Sequence, residues 1–194
     1  MPLVVINHVT LDGVMQAPGR SDEDMRGGFR HGGWAVRGND EVMGRALAGR
    51  MGQPEGGLLL GRRSYEQMLS AWNAQGGPYK EALNSAPKYV VSSSSTTRLD
   101  WPNSTLVTGD IPAAVAELKQ SSSGELVIMG SGQLIRSLLP DGLIDELLLM
   151  IHPLVLGSGQ RLFDHEHHLE LRLVASTPTT TGVIIATYQP IHAA

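Results

Sequence analysis

Residues 125–139, Glu-Leu-Val-Ile-Met-Gly-Ser-Gly-Gln-Leu-Ile-Arg-Ser-Leu-Leu, constrain the fold of this chain more than any other stretch. Leu126 to Met129 form a short apolar run of the length a buried strand takes, and Leu134, Ile135, Leu138 and Leu139 then recur at helical spacing. Gly130, Ser131 and Gly132 stand between them. Glycine permits the tight turn and leaves room for a ligand against the backbone. The helix that follows starts with unpaired N–H groups and the positive end of its dipole, which together suit a phosphate. Many junctions of this kind bind nothing, so the purely structural reading stands beside the functional one.

The same punctuation recurs along the chain. Leu3 to Val9 reads as a buried strand ended by the turn pair Asp12-Gly13. Residues 16–40 are rich in Gly, Asp, Arg and Asn without periodicity, as a functional or mobile loop would be. Asn39 or Asp40 is placed to cap a helix over 41–51 with Val42, Leu47 and Met51 on its apolar face. Leu58 to Leu60 is a second strand ending at Gly61, with a helix from about Ser64 to Ala71. Tyr89 to Val91 is a third, running into the serine loop Ser92 to Ser95. Leu106-Val107 suits a short strand and Pro112 to Lys119 a helix with proline in its first turn. After an apolar run over 143–151, continued by Leu154 to Leu156, residues 169–175 and 183–188 read as an antiparallel hairpin with one wetter face. Strands alternating with helices, then a strand-rich C-terminus, predict a single three-layer α/β domain over 1–194. Its central sheet is expected to be mostly parallel, with antiparallel strands at the C-terminal end.

Composition narrows the function. A net charge of −4 without a basic block leaves nucleic acid and anionic membranes no electrostatic footprint. Zero cysteines exclude disulfides, thiolate zinc sites and a cysteine nucleophile. No apolar run is long enough to span a bilayer and no secretory signal is visible, so a cytoplasmic location is expected.

Three nucleotide signatures fail. There is no P-loop; the third glycine of a Rossmann fingerprint is replaced by Ile135; no tyrosine has a lysine four residues on. A second junction, Leu60-Gly61-Arg62-Arg63-Ser64, adds two guanidinium groups and a hydroxyl at a helix start. That position is unfavourable to cations, which gives an anionic partner weight against a merely solvated arginine pair. Ser92 and Ser93 put hydroxyls at a third strand end. Ligands of open parallel sheets lie beyond the carboxyl ends of strands, so the three ends point to one dinucleotide. Arg62 or Arg63 is then available for a 2′-phosphate.

Four segments in order, Thr10-Leu11-Asp12-Gly13-Val14-Met15, Leu59 to Glu66, Val127 to Leu134, and Asp145-Glu146-Leu147 through 153–159 to Leu162-Phe163, resemble the dihydrofolate reductase-like superfamily. Within it the chain is most similar to the reductase domain of bacterial riboflavin biosynthesis. The resemblance implies the three-layer dihydrofolate reductase-like fold, a homodimer and NADPH as hydride donor. By position it implies Gly61, Arg62, Arg63 and Ser64 at the adenosine phosphates, and Ser92 and Ser93 near the adenine ribose. Gly130, Ser131, Gly132, Gln133 and Leu134 would hold the pyrophosphate, with Val14 and Met15 by the nicotinamide. The companion deaminase signature is absent, so the reductase is expected to be free-standing.

No catalytic residue is assigned. Dihydrofolate reductases carry a carboxylate on the first helix; here the nearest are Asp40 and Glu41, which read better as capping residues. Trp34 either lines a substrate cavity or belongs to the core, and His8 either faces the nicotinamide or is a hydrogen-bonded core histidine. His165-Glu166-His167-His168 reads as a polar surface turn rather than a metal site, and no metal is expected. The second Gly-Ser-Gly-Gln, at 157–160, lacks a following helix and suits a connector or subunit contact. The expected activity is reduction of a small heterocyclic or carbonyl substrate, the ribosylaminouracil intermediate of riboflavin synthesis before dihydrofolate. A non-catalytic nucleotide-binding or dimerisation module is the rival.

Overall fold

Strand, glycine and helix alternate as the sequence predicts in the computed structural model, which describes residues 1–51, 56–121, 123–163 and 168–191. In chain order the elements begin with β1 (Leu3–Thr10), 3-10 turns at Arg26–Gly28 and Val36–Gly38, α1 (Glu41–Met51), β2 (Gly57–Gly61), α2 (Arg62–Gln75) and α3 (Pro78–Ser85). They continue with β3 (Lys88–Val91), β4 (Ser104–Val107), α4 (Ile111–Ser121), β5 (Leu126–Ile128), α5 (Gly132–Leu138), β6 (Glu146–His152), β7 (Leu171–Pro178) and β8 (Ile184–Pro190).

Two compact units share these elements. The first comprises Met1–Val5 and Met51–Asp145. Its strands run in the order β4-β3-β2-β5-β1, and each recorded pairing is parallel. All residues of β2 and β5 are buried, as strands covered on both faces require. Tyr65 anchors α2: its ring is fully buried, its hydroxyl lies 3.1 Å from Ser104 Oγ, and it accepts the Trp101 N–H at 3.0 Å.

The second unit comprises Ile6–Arg50 and Glu146–Ala194. Here β6, β8 and β7 pair antiparallel, so the α/β class with antiparallel C-terminal strands holds. The hairpin differs from its expected alternation. Every residue of β7 after Leu171 is exposed, because β7 is the outermost strand and its register shifts between Leu173 and Ala175. The strand expected to continue through Leu154 to Leu156 stops at His152, since Pro153 has no N–H for a ladder. Asp40 does cap α1, its Oδ1 accepting the Met43 N–H at 2.8 Å, but α1 buries Met43, which the expected face of Val42, Leu47 and Met51 did not include, while Val42 and Leu47 are only half-buried.

Two helices in the first unit depart from expectation. The helix read over 64–71 starts at Arg62, directly after the extended Gly61, and ends at Gly76 with φ +78°. The sequence reading has no counterpart for α3, which a glycine pair and Pro78 in its first turn initiate. Its C-terminus is closed by Lys88, which is 0% exposed. The ammonium donates to the carbonyls of Leu83 at 2.6 Å, Asn84 at 3.3 Å and Ala86 at 2.7 Å. A cation there also meets the negative end of the helix dipole. Burial lowers the Lys88 pKa from 10.5 to about 8.

Lys88→Met leaves those carbonyls without their donor and is expected to cost about 2–4 kcal/mol in urea unfolding. Between pH 8 and 10.5 the unfolded chain holds the proton that folded Lys88 has released, so this group makes wild-type stability rise with pH. The Met variant should lose that slope.

Candidate functional site

The first unit brings the expected phosphate-facing junctions together. β2 and β5 are adjacent, with Leu59 opposite Ile128, and the Gly61 N–H reaches the Gly130 carbonyl at 3.3 Å. A β-carbon on Gly61 would lie 2.5 Å from Ser131 Oγ. One on Gly130, whose φ is +114°, would lie 2.9 Å from Ser64 Oγ. The clearance the sequence offered to a ligand is therefore taken up at these two positions by serine hydroxyls from the neighbouring junction. The Gly130–Ser131 peptide is cis.

The two helix starts differ in what they leave open. Ser131 caps α5, its hydroxyl accepting the Leu134 N–H at 3.4 Å. Gly132 and Leu134 are buried and Gln133 is exposed. In contrast, α2 begins after a glycine, receives no side-chain cap, and has no acidic residue in its first turn. Arg62 and Arg63 are both exposed there, Arg62 at 3.5 Å from Glu66. Unpaired N–H groups, the positive dipole end and two guanidiniums thus converge on the start of a fourteen-residue helix. That donor set fits a phosphate.

At the end of β3, Ser92 is buried and engaged within its own loop. Its hydroxyl lies 2.7 Å from Thr97 Oγ1 and accepts the Ser94 N–H at 3.1 Å. Ser93 is exposed. A cavity of 430 Å³ lies between β4 and α4, lined by Tyr89, Thr108 and Glu117 among others, and includes none of the expected site residues.

In the second unit Val14 is fully buried, packs with Ala17 and Phe29, and bridges Arg161. The Met15 N–H donates to Gln160 O at 2.9 Å. Asp12, read from the sequence only as one of a turn pair, and Gln16 hold this region. The Asp12 carboxylate accepts the Thr10 hydroxyl, the Leu156 N–H at 3.2 Å and the Gly157 N–H at 2.8 Å. These bonds, that of Thr10 foremost, lower its pKa. Buried Gln16 donates to the carbonyls of Asp24 and Arg26 and accepts the Gln160 N–H. The second Gly-Ser-Gly-Gln is thereby a connector: its terminal N–H groups serve Asp12 and Gln16. Asp40 is likewise occupied, its Oδ2 accepting both the N–H and hydroxyl of Thr180, while Glu41 pairs with Arg45 at 2.6 Å.

His8 is only partly exposed and meets a partner that sequence reasoning missed. Its Nδ1 lies 2.9 Å from Nε2 of His152, which is 1% exposed. Trp34 packs edge-on against the His152 ring at 5.1 Å, and its indole N–H donates to Gln16 O at 2.7 Å. Burial lowers both imidazole pKa values from 6.5 to about 4, and at His8 the His152 ring adds to the effect. Both rings are neutral near pH 7. His152 carries no local sequence signal, since its partner stands 144 positions earlier.

Among the described residues no group of three metal-ligating side chains forms, and no helix is long and apolar enough to cross a membrane. His165, Glu166 and His167 lie outside those residues, and His168 is exposed.

Residues 2–185 match the model of the RibD C-terminal domain. The chain belongs to that family. The chain is 32% identical to the uncharacterized protein YyaP of Bacillus subtilis, over 68% of this chain and 72% of that one. A protein of Shewanella sp. PV-4, named for riboflavin biosynthesis, superposes with a TM-score of 0.70 at 25% identity, covering 99% of this chain and all of that one (100%). Dihydrofolate reductase from Enterococcus faecalis, solved with NADP(H), shares the fold. Its TM-score is 0.63 at 14% identity, over 97% of this chain and 96% of that one.

Gly61→Ala should destabilise the protein by about 1–3 kcal/mol through overpacking against Ser131. Adding Ser131→Ala should restore part of that loss, because the nearest remaining atom is then the Ser131 β-carbon, 3.2 Å away. A double-mutant cycle in urea reads the coupling. The histidine pair predicts acid lability. The folded pKa values lie below the unfolded ones, so its contribution is complete above pH 6.5 and is lost as pH falls through about 4. Replacing both rings with glutamine should flatten urea midpoints over that window relative to wild type.

Proposed function

We propose that this chain is an NADPH-dependent reductase of a small heterocyclic or carbonyl substrate. The uncapped, doubly basic first turn of α2 carries the reading, because it supplies phosphate-binding groups that the protein itself leaves without a side-chain cap. Membership of the RibD C-terminal family supports it. When bound, the dinucleotide supplies hydride. Arg62, Arg63 and Ser64 hold its adenosine phosphates, the guanidiniums selecting the 2′-phosphate, and the Gly130–Leu134 junction holds the pyrophosphate. Ser93, with Ser92 shaping its loop, serves the adenine ribose, and Val14 and Met15 serve the nicotinamide as the family resemblance implies.

For substrate, 5-amino-6-(5-phosphoribosylamino)uracil is the best match to the family. Dihydrofolate ranks below it, because Asp40 and Glu41 are committed to a helix cap and an ion pair. The same reading carries a homodimer acting in the cytoplasm.

Millimolar NADPH should raise the melting temperature, since a ligand that binds only the folded state at a hundred times its Kd adds about 2.7 kcal/mol. Absence of any shift overturns the cofactor assignment. Replacing Arg62 and Arg63 with Ala should weaken NADPH by about tenfold or more. NADH binding should change far less; an equal loss for both dinucleotides refutes the 2′-phosphate role.

A further inference from the structure

The antiparallel sheet of the second unit keeps its chemical alternation where it loses the burial that alternation serves. Cross-strand partners share a face of a sheet, so the register sorts β6, β8 and β7 into two sets. One set holds Glu146, His152, Thr187, Gln189 and Arg172. Its polar groups are engaged: Glu146 pairs with Arg50 of α1 at 2.6 Å, and Arg172 donates to Gln189 Oε1 at 2.6 Å. α1 therefore lies on this face. The other set places Ile151 beside Ile184, Tyr188 beside Leu173, and Pro190 beside Leu171. No strand of the three puts a charged side chain on that face.

Burial does not follow this pattern. Leu173 is 53% exposed and Ile184 45%, while Tyr188, Leu171 and Ile151 are half-buried. An antiparallel sheet with one wet face buries the other. Here the polar face has its helix, and the apolar face is left open along β8 and β7.

We propose that this apolar face is the contact with a second copy of the chain, sheet packed on sheet about a two-fold axis. The homodimer belongs to the function proposed above, on which this rests; the seat of its interface is inferred from the sheet alone. Charge selects an identical partner. Around a two-fold axis a surface patch meets its own copy, so a charge near the axis would face a like charge. This face carries none, whereas the chain as a whole has a net charge of −4 that sets its copies against each other elsewhere. Aliphatic and aromatic side chains with charge left out are also the composition of an interface core. Sheets packed by their faces, about 10 Å apart, need no free strand edge. The register shift of β7 between Leu173 and Ala175 is then no obstacle.

Sedimentation velocity at micromolar concentrations should find wild type dimeric. Leu173→Lys with Ile184→Lys puts two unpaired charges into the contact, and should weaken association by about a hundredfold or more, leaving monomers with native circular dichroism. Thr177→Lys, opposite Ile185 on the polar face, should remain dimeric. A second measurement holds even where the double variant fails to fold. The chain has no cysteine, so Ser176→Cys and Thr177→Cys each carry a single thiol, on the apolar and the polar face in turn. Alkylation of the Ser176→Cys thiol should slow as protein concentration rises, and that of Thr177→Cys should not. A dimer that survives both lysines, or one in which the two thiols react alike, overturns this placement alone. Wild type that is monomeric at every concentration overturns the homodimer with it. Should that monomer float with phosphatidylcholine vesicles, the face belongs to a lipid surface and not to a second copy. The reductase reading stands or falls separately, on the NADPH shift.

Discussion

The mutual clearance of Gly61 and Gly130 is the constraint on which the first unit depends. Each glycine admits a hydroxyl from the other's junction, Ser131 over Gly61 and Ser64 over Gly130. Two parallel strands can then turn into helices at the same level with their backbones in hydrogen-bonding contact. The start of α2 follows from this. Its N-cap is a glycine because any side chain there would strike Ser131, and a glycine N-cap leaves the first-turn N–H groups without a side-chain acceptor. A packing requirement thus produces the electropositive helix end, and the arginines reinforce it.

The second unit solves a different problem. Its segment between β1 and α1 contains only two short 3-10 turns, so regular hydrogen bonding cannot hold it. Side chains do so instead. Asp12 and Gln16 each tie that segment to the 156–160 connector, and Trp34 is pinned to the Gln16 carbonyl. Polar groups engaged by several partners in this way favour one arrangement of the segment. The histidine pair sits against the same tryptophan.

Legibility followed the range of the interactions. β1, β2 and β5 were readable because burial on both faces writes itself as a continuous apolar run, and Asp40 because capping is local. Gly130-Ser131-Gly132 was readable as a junction, but not that its space belonged to a neighbouring loop. α3 was missed because its signal is a glycine pair and one proline rather than periodicity, and its stabilising lysine looks like any charged residue before a strand. His152 and Gln16 lay beyond reach for the same reason. Their partners are distant in sequence, and nothing local distinguishes them from surface polar residues.

The register shift between Leu173 and Ala175 bears on how this chain behaves in a crowded solution. An outer strand with a straight backbone is a template on which other chains can add. β7 exposes Leu173 and Val174, each more than half accessible, yet its hydrogen-bonding rail is interrupted at that point and Pro178 at its end contributes no donor. The apolar side chains are thus offered without a regular backbone beside them. Neighbouring molecules can touch this strand, but they cannot prolong its sheet in step.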